Sequence, residues 1–325
     1  MNAQARGPDG RTLALFALTV VLGGSNFLAV RLSNLELPPL WGAGLRFTLA
    51  GLGFFGLVAL LRLPLPRGRV LLAMAGYGVL SVAGFYALVY GALLTVTAGV
   101  ATVVLALVPL AAVLAAAVQR LEPLRGRSVL GGVVAVAGIA WLTAEPGRDP
   151  LPLGSLLALL GAVACVGQSF VLAKRLQRHH PAVVNAVALL TGATVLLLLS
   201  AAVGERWSLP RRPEAAWALA YLVTLGSIGL FLGVLTVVRR WTASASSYLF
   251  VLFPVATMTL EALFLAEPVT LTMVGGATVV VAGVWLGAFA PAGPPPDPPA
   301  VPPASRTEPH GPPPARPAAP TDAGR

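Results

Sequence analysis

The sequence predicts an all-α integral membrane protein of ten transmembrane helices, arranged as two inverted five-helix repeats. Three observations predict this fold class: long apolar runs, charges confined to the segments between them, and an internal match at an offset of 145 residues. Hydrophobic residues make up 57% of the 325-residue chain and charged residues 10%, whereas soluble proteins carry about a quarter charged residues. Lipid is therefore the expected solvent for most of the chain.

Ten stretches are apolar and long enough to cross a bilayer, which takes about 20 residues of α-helix. The runs are continuously apolar, whereas the strands of a membrane barrel alternate apolar and polar residues over about ten positions. Helices are therefore expected in all of them. The predicted spans are roughly 12–30, 40–61, 70–91, 98–118, 128–144, 154–173, 182–203, 216–238, 243–264 and 271–290.

The basic residues predict the orientation, because cytoplasmic loops of membrane proteins carry an excess of Lys and Arg. With residues 1–11 as a cytoplasmic N-terminus, 16 of the 22 basic residues fall on the cytoplasmic side, 5 fall outside, and Arg46 lies within a span. Both termini are then cytoplasmic, and the expected location is the cell (inner) membrane. The Pro-rich tail, residues 291–325, contains no apolar run and is expected to be disordered.

Several other classes of protein are not expected. The net charge of +10 does not indicate a nucleic-acid partner, because the basic residues lie in small groups at the ends of apolar runs. The run 51–56 reads Gly-Leu-Gly-Phe-Phe-Gly, but a dinucleotide fingerprint needs a preceding strand, and this run lies inside a span. His179 and His180 have no further metal ligand nearby in the sequence. No cofactor, metal site, catalytic residue or ATP-binding motif is predicted.

An internal repeat organises the chain into two copies, expected at residues 12–144 and 154–290. Each copy holds five spans, an odd number, so the second copy must enter the membrane in the opposite orientation. Inverted repeats of this kind recur in secondary transporters, which bind substrate near the middle of the membrane. The matched positions are Ala98 and Ala243, Pro109 and Pro254, Glu122-Pro123 and Glu267-Pro268, Gly131 and Gly276, and Gly138 and Gly283.

Two further motifs accompany the repeat. Residues 24–27 read Gly-Ser-Asn-Phe in the first span, and Arg46 lies in the second. Together with the run from Tyr86 to Gly138 and its second copy, these motifs resemble the EamA domain of the drug/metabolite transporter (DMT) superfamily over most of the chain. The resemblance implies a transporter and does not specify its substrate. The sequence departs from the family pattern at Gly23, where a tryptophan usually stands.

Two ionisable residues fall inside predicted spans, where a charge costs of order 3 kcal/mol on insertion scales. Arg46 lies about six residues into the second span, and Glu261 lies a few residues before the outer end of the ninth. Both are therefore expected in the outer half of the membrane. Snorkelling to the interface is one alternative for each, and contact with substrate is another. A third hypothesis is that the two form, in at least one conformation, an ion pair that closes the outer side of the cavity.

Polar side chains within the spans are candidates for a substrate cavity, because a polar group in lipid needs protein, water or ligand as its partner. Hydrogen bonding between helices is the alternative for these residues, as it is for Ser25 and Ser169. Pro109 and Pro254 are candidate hinges, since proline removes a backbone donor and kinks a helix, with a packing kink as the alternative. The cavity candidates are Asn26, Arg46, Tyr86, Gln168, Tyr248 and Glu261.

These features predict a secondary transporter that exports a small metabolite, amino acid or drug across the cytoplasmic membrane by alternating access. Its expected partners are the solute, the lipid bilayer, and protons or another coupling ion. One alternative is a membrane-embedded enzyme acting on a lipid or isoprenoid, which needs a cluster of carboxylates or histidines facing one leaflet. The spans offer one carboxylate, Glu261. A sensor that transports nothing is the other alternative.

Overall fold

Helices account for the regular structure of the described chain. The computed structural model describes residues 10–121, 126–143, 151–176, 178–240, 243–265 and 269–289, and no strand occurs within these ranges. Apolar runs of this length form helices in lipid because a helix satisfies its own backbone N–H and C=O groups. The predicted disordered tail and the matched Glu-Pro loops lie outside the described residues.

The first half of the chain contains five helices. Their bounds are α1 Gly10–Asn34, α2 Pro39–Leu60, α3 Arg69–Ala92, α4 Ala98–Val118 and α5 Gly126–Thr143. In the second half, α6 is Leu153–Leu176, α7 is Pro181–Ala202, α8 runs over 213–240, α9 is Ala243–Phe264, and α10 runs over 271–289.

The sequence explains several helix starts. The first residues of α2, α7 and α8 are Pro39, Pro181 and Pro213. Proline is favourable there because the N–H that it lacks would have no acceptor within the helix. Thr97 and Thr270 cap α4 and α10, because each side-chain oxygen accepts a backbone N–H of the first turn. The helices therefore begin where local residue chemistry allows, close to the predicted boundaries.

Length and hydropathy support a multi-pass membrane protein. Seven helices of the described residues are long and apolar enough to cross a membrane. Three shorter apolar helices, Gly126–Trp141, Val251–Phe264 and Leu271–Gly287, lie at the fifth, ninth and tenth predicted spans. The all-helical membrane class is confirmed, while ten crossings remain a prediction.

Contacts between helix ends define one face of the protein. Asn34, near the end of α1, donates to the carbonyl of Tyr90 near the end of α3, at 3.1 Å. The hydroxyls of Thr95, just before α4, and Ser155, in the first turn of α6, lie 2.6 Å apart. The first helix of one half therefore ends on the face where the first helix of the other half begins, as an inverted repeat requires.

Three carboxylates lie on this face, which we call the carboxylate face, and each accepts backbone N–H groups at or next to the start of a helix in the other half of the chain. Glu36 accepts from Arg211 and Arg212 just before α8. Glu205 accepts from residues 40 and 41 of α2. Glu261 accepts from Ala98 and Gly99 of α4. A negative charge is stabilised at a helix N-terminus, so the three carboxylates join the two halves.

Glu36 gives this face a measurable dependence on pH. Backbone hydrogen bonds from Arg212 and Arg211 hold the pKa of Glu36 below its ordinary value of 4.5. A carboxyl group whose pKa is lower in the folded protein than in the unfolded chain stabilises the fold at pH values above the unfolded pKa. That stabilisation is lost as the pH falls through the folded pKa.

We expect Glu36→Gln to lower the melting temperature at pH 7, and the difference in melting temperature from the parent to shrink below pH 4.5. Thermal unfolding of both proteins in detergent, at pH 7 and below pH 4.5, measures the difference. A difference that persists unchanged at low pH would contradict this assignment.

Two π-helical turns interrupt α3 and α8 at positions related by the repeat. They cover Val79–Gly84 and Thr224–Gly229, which begin 145 residues apart, the same offset that relates the matched sequence positions. A π turn leaves the regular helical hydrogen-bond pattern and is frequent at functional sites. The repeat therefore extends to a backbone irregularity that sequence pattern alone does not indicate.

The matched glycines bring α5 and α10 into close contact. A Cβ atom added at Gly131 would lie 2.5 Å from the carbonyl oxygen of Gly283, and one added at Gly138 would lie 2.7 Å from the backbone nitrogen of Val280. Small residues let membrane helices approach closely, because packing rather than the hydrophobic effect holds helices together in lipid. The glycines of the repeat thus have a packing role at this interface.

Candidate functional site

Arg46 is the centre of a buried polar cluster formed by α1, α2, α3 and α8. Its side chain is fully buried, at 0% exposure. Nε donates to the hydroxyl of Ser227 at 2.9 Å, and Nη1 donates to the hydroxyl of Tyr90 at 3.3 Å. Nη2 donates to Oδ1 of Asn26 at 2.9 Å and to the carbonyl of Gly226 at 3.0 Å. We call Arg46 and these four partners the arginine cluster.

The arginine cluster holds a positive charge with neutral partners. None of the hydrogen bonds described for Arg46 is to a carboxylate; instead oxygen dipoles and the faces of Phe47 and Tyr86, 4.7 and 5.2 Å from the guanidinium carbon, surround it. Aromatic faces attract cations. The π turn in α8 contributes the carbonyl of Gly226, which also accepts from Asn26 at 3.0 Å. The charge therefore ties three helices of the first half to the irregular turn of α8.

Glu261 forms a separate site on the carboxylate face, and its side chain is 2% exposed. Oε1 lies 3.0 Å from Nη1 of Arg31 and accepts from the backbone nitrogen of Ala98 at 2.8 Å. Oε2 accepts from the backbone nitrogen of Gly99 at 2.5 Å. We call this group, Glu261 with Arg31 and the start of α4, the latch, because it joins α9 to α1 and α4.

The ion pair between Arg46 and Glu261, predicted for at least one conformation, is absent from this one. The partner of Glu261 is Arg31, which the sequence prediction assigned to a loop. Helix α1 continues to Asn34, so Arg31 lies in its last turn, and its side chain, 27% exposed, reaches Glu261. Glu261 is also buried rather than snorkelling, and a charge pair plus two backbone donors compensates its burial.

A small apolar cavity lies between the halves of the chain. Its volume of about 10 Å³ is enough for about one water molecule. The hydroxyl of Thr102, in its wall, donates to the carbonyls of Ala98 and Gly99, so the cavity begins one helical turn from the latch. Five of its six lining residues are buried, and Phe27 is partly exposed. Its lining residues are Phe27, Phe85, Thr102, Leu105, Val108 and Phe253.

The departure at Gly23 has a structural counterpart in α9. A Cβ atom at Gly23 would lie 2.1 Å from the ring of Phe253, which also lines the cavity. The aromatic ring therefore occupies the space into which a side chain at residue 23 would project. An aromatic wall is present at this point, contributed by the second half of the chain.

The structure separates the predicted cavity residues. Asn26, Arg46 and Tyr86 meet in the arginine cluster or against it, while Glu261 lies in the latch. Gln168 lies towards the opposite face, where its Oε1 accepts from Gln119 at 3.0 Å. The side chain of Tyr248 lies outside the described residues. Ser25 hydrogen-bonds to the hydroxyl of Tyr221, and the hydroxyl of Ser169 bonds back to Val166.

The two matched prolines differ in their local structure. Helix α4 is interrupted at residues 106–107, just before Pro109, while α9 continues through Pro254. Both prolines are buried. Among the described residues, a break in the helix accompanies Pro109 and none accompanies Pro254, and the hinge role of both prolines stays a prediction.

No metal site is found in the part of the chain that the structure describes, where no three histidine, cysteine or acidic side chains cluster. The ring of His180 instead caps α7, with Nδ1 accepting from the backbone nitrogen of Ala182 at 3.2 Å. A helix cap is sufficient to explain this residue.

Sequence reasoning missed four partners: Arg31, Tyr90, Gly226 and Ser227. Tyr90 could have been predicted, because Tyr86 was already a candidate cavity residue and residues four apart lie on the same face of a helix. Gly226 and Ser227 form a small polar pair in an apolar span, which gave a weak signal. Arg31 could have been found only if the end of α1 had been predicted at Asn34 rather than near residue 30.

Residues 11–144 and 153–288 each match the EamA-like transporter family, and the chain belongs to this family. Among its relatives, "Uncharacterized inner membrane transporter YedA" of Escherichia coli strain K12 is 30% identical over 242 residues, covering 73% of this chain and 78% of the relative. Family membership indicates a membrane transporter.

Two other relatives carry names that state a substrate class. The "Probable terminal-alkyne amino-acid exporter" of Streptantibioticus cattleyicolor is 30% identical, covering 83% of this chain and 90% of the relative. The "Probable amino-acid metabolite efflux pump" of Escherichia coli strain K12 is 27% identical, covering 85% and 94%. A solved crystal structure superposes with a TM-score of 0.60 at 20% identity, covering 85% of this chain and 96% of its own, which supports the fold.

Proposed function

We propose that this protein is a secondary exporter of small amino-acid-like solutes and that it works by alternating access. In this proposal ten helices cross the cytoplasmic membrane, the repeats span 12–144 and 154–290, both termini are cytoplasmic, and the carboxylate face is outside. The loop charges support this orientation. The relatives named as amino-acid exporters support the substrate class.

The observation that carries the proposal is a small apolar cavity lined by residues of both halves of the chain, one helical turn from the latch. Transporters with inverted repeats bind substrate at the interface of the repeats and expose it to each side in turn. The cavity wall is apolar with one hydroxyl, from Thr102, and polar clusters lie on neighbouring helices. An apolar wall with few polar groups is typical of small-molecule sites.

Transport by the purified protein tests the proposal. Reconstituted vesicles loaded with labelled amino acids should release them faster than vesicles without protein. Leu105→Trp, which fills the cavity, should abolish this release, while Leu114→Trp, on the same helix but 41% exposed, should leave it unchanged. Equal release by both variants, or no release of any amino acid tested, would contradict the proposed substrate and cavity.

The prolines provide a further prediction about the moving parts. Proline at residue 109 removes a backbone donor beside a break in α4, whereas Pro254 lies in a continuous helix. We therefore expect Pro109→Ala to reduce flux several-fold and Pro254→Ala to reduce it less, with normal folded yield for both. Initial rates of release measure the difference. If both variants transport at the parental rate, the break in α4 has no part in transport.

A further inference from the structure

We propose that the latch is the gate through which the cavity opens on the carboxylate face. The inference rests on the proposed alternating-access function and names the contacts that must separate for one of its two openings to form. Helices α1 and α4 of the first half and α9 of the second half meet at the latch. Separation of α9 from the other two helices therefore requires Glu261 to leave Arg31 and the first turn of α4.

The latch lies on helices that also line the cavity, on the side of the cavity towards the carboxylate face. Arg31 is four residues after the cavity residue of α1, and Ala98 is four residues before the first cavity residue of α4. Glu261 is eight residues after the cavity residue of α9. Positions four or eight apart lie along one stripe of a helix, so the latch lies over one end of the cavity. The three cavity residues are Phe27, Thr102 and Phe253.

The described hydrogen bonds of the Glu261 carboxylate all cross from one half of the chain to the other. Oε1 lies 3.0 Å from Nη1 of Arg31 and accepts from the backbone nitrogen of Ala98 at 2.8 Å, and Oε2 accepts from that of Gly99 at 2.5 Å. Hydrogen bonds to a charged group are roughly twice as strong as neutral ones, and a helix N-terminus stabilises a negative charge. One side chain therefore holds the two halves together at this point.

Gly99 leaves the space that the carboxylate occupies. A Cβ atom at Gly99 would lie 2.9 Å from Oε2 of Glu261 and 2.3 Å from the terminal methyl group of Met273. Both atoms are the ends of flexible side chains, which can move aside at low cost. A methyl group at residue 99 should therefore displace the carboxylate while both charges of the latch remain in the chain.

The latch can open and re-form because both of its charges lie close to the ends of their helices. Arg31 is in the last turn of α1 and is 27% exposed, and Glu261 lies three residues before the end of α9. Long basic side chains near helix ends reach water, so Arg31 keeps its charge hydrated as the helices part, and Glu261 meets water at the same end. Arg46 differs, because its side chain is 0% exposed. The latch, rather than the arginine cluster, is therefore the reversible contact.

Glu205 provides a matched control on the same face. Its two oxygens accept from the backbone nitrogens of Leu40 and Trp41 at 3.1 and 2.7 Å, so it also joins the start of a helix to the other half. That helix is α2, which contributes no residue to the described cavity wall. Loss of the charge of Glu205 should therefore weaken the fold without uncovering the cavity.

Accessibility of a cysteine in the cavity wall tests the proposal without any need for a substrate. In a Cys165→Ala background, Leu105→Cys places a thiol at a wall position that is 4% exposed, and Leu209→Cys, at a position 69% exposed, serves as the reference. A membrane-impermeant thiol reagent is added on the carboxylate face of reconstituted protein. The measured quantity is the labelling rate at residue 105 divided by that at residue 209. Only variants with the size-exclusion profile of the parent are compared.

We expect Glu261→Gln to raise this ratio at least about tenfold, because the loss of hydrogen bonds to a charged group shifts an equilibrium by roughly that factor. Arg31→Gln should raise the ratio less, since the two backbone hydrogen bonds of Glu261 remain. Gly99→Ala should raise it with both charges intact. Arg31→Gln combined with Glu261→Gln should add nothing to Glu261→Gln alone, because Arg31 acts through Glu261. Glu205→Gln should follow the parent.

A parental ratio in Glu261→Gln would overturn the proposal, as would an equal rise in Glu205→Gln. If Glu261→Gln does not fold, Gly99→Ala decides in its place, with a parental ratio again the contradicting result. The outcome is also independent of the proposed export function. Labelling that follows the expected pattern in a protein that releases no amino acid would retain the gate and reject the function. Release of amino acids with parental ratios in every latch variant would do the reverse.

Discussion

Arg46→Leu is expected to remove transport and most of the folded protein. The change deletes four hydrogen bonds within the arginine cluster and leaves the buried oxygens of Asn26 and Gly226 with fewer donors. Each buried polar group without a partner costs about 1–3 kcal/mol, against a total stability of about 5–15 kcal/mol for typical proteins. Loss of the charge also releases the π turn of α8 from α2.

Size-exclusion yield, melting temperature and amino-acid release measure this effect. Arg67→Ala, an exposed arginine in the loop before α3, is the control and should match the parent. Arg46→Lys should recover part of the stability, because an ammonium group supplies a point charge but not the planar fork of donors. Parental yield and release from Arg46→Leu would show that the cluster is dispensable.

Gly131→Val and Gly283→Val are expected to prevent normal packing of α5 against α10. A Cβ at either position would lie within 2.6 Å of backbone atoms across the interface. Backbone atoms cannot relieve such a clash by changing rotamer, as a flexible side chain can. Overpacking a core costs typically about 1–3 kcal/mol, and here the strain falls on two helix backbones. We expect a large loss of folded yield in both variants.

Gly132→Val is the matched control on the same helix. Its Cβ would meet the side chain of Leu110 at 3.5 Å, an ordinary contact distance, so its yield should remain near that of the parent. Fluorescence-detected size exclusion in detergent compares the three variants. If Gly131→Val folded as well as Gly132→Val, the close approach of α5 and α10 would be wrong.

Hydropathy was sufficient to predict the helices, because the exclusion of unpaired backbone groups from lipid leaves a long apolar run little choice but a helix. The repeat was also legible, since matched glycines and prolines stand at one offset. The position of Glu261 in the last turns of α9 could also be predicted, because the apolar run ends a few residues after it. These properties depend on position along the chain.

The partners of the buried charges could not be predicted in the same way. Depth does not specify which helix a side chain faces, so Arg46 and Glu261, both expected in one half of the membrane, were paired with each other. The partner of Glu261 was missed because the predicted end of α1 was a few residues too early. Arg31 was therefore expected in a loop, whereas it lies in the last turn of α1 and pairs with Glu261. The π turns were likewise not predicted, since the mixtures of apolar and small residues in Val79–Gly84 and Thr224–Gly229 do not distinguish a π turn from an α-helical turn.

Two-sided accessibility of the cavity tests the central claim most directly. Val108→Cys, in the Cys165→Ala background, places a thiol in the cavity wall at a position with 0% exposure in this structure. If the two halves expose one cavity to each side in turn, an impermeant thiol reagent should label this cysteine from either side of the membrane, and the substrate should slow both reactions. Labelling from one side only, at every pH and with or without substrate, would contradict alternating access.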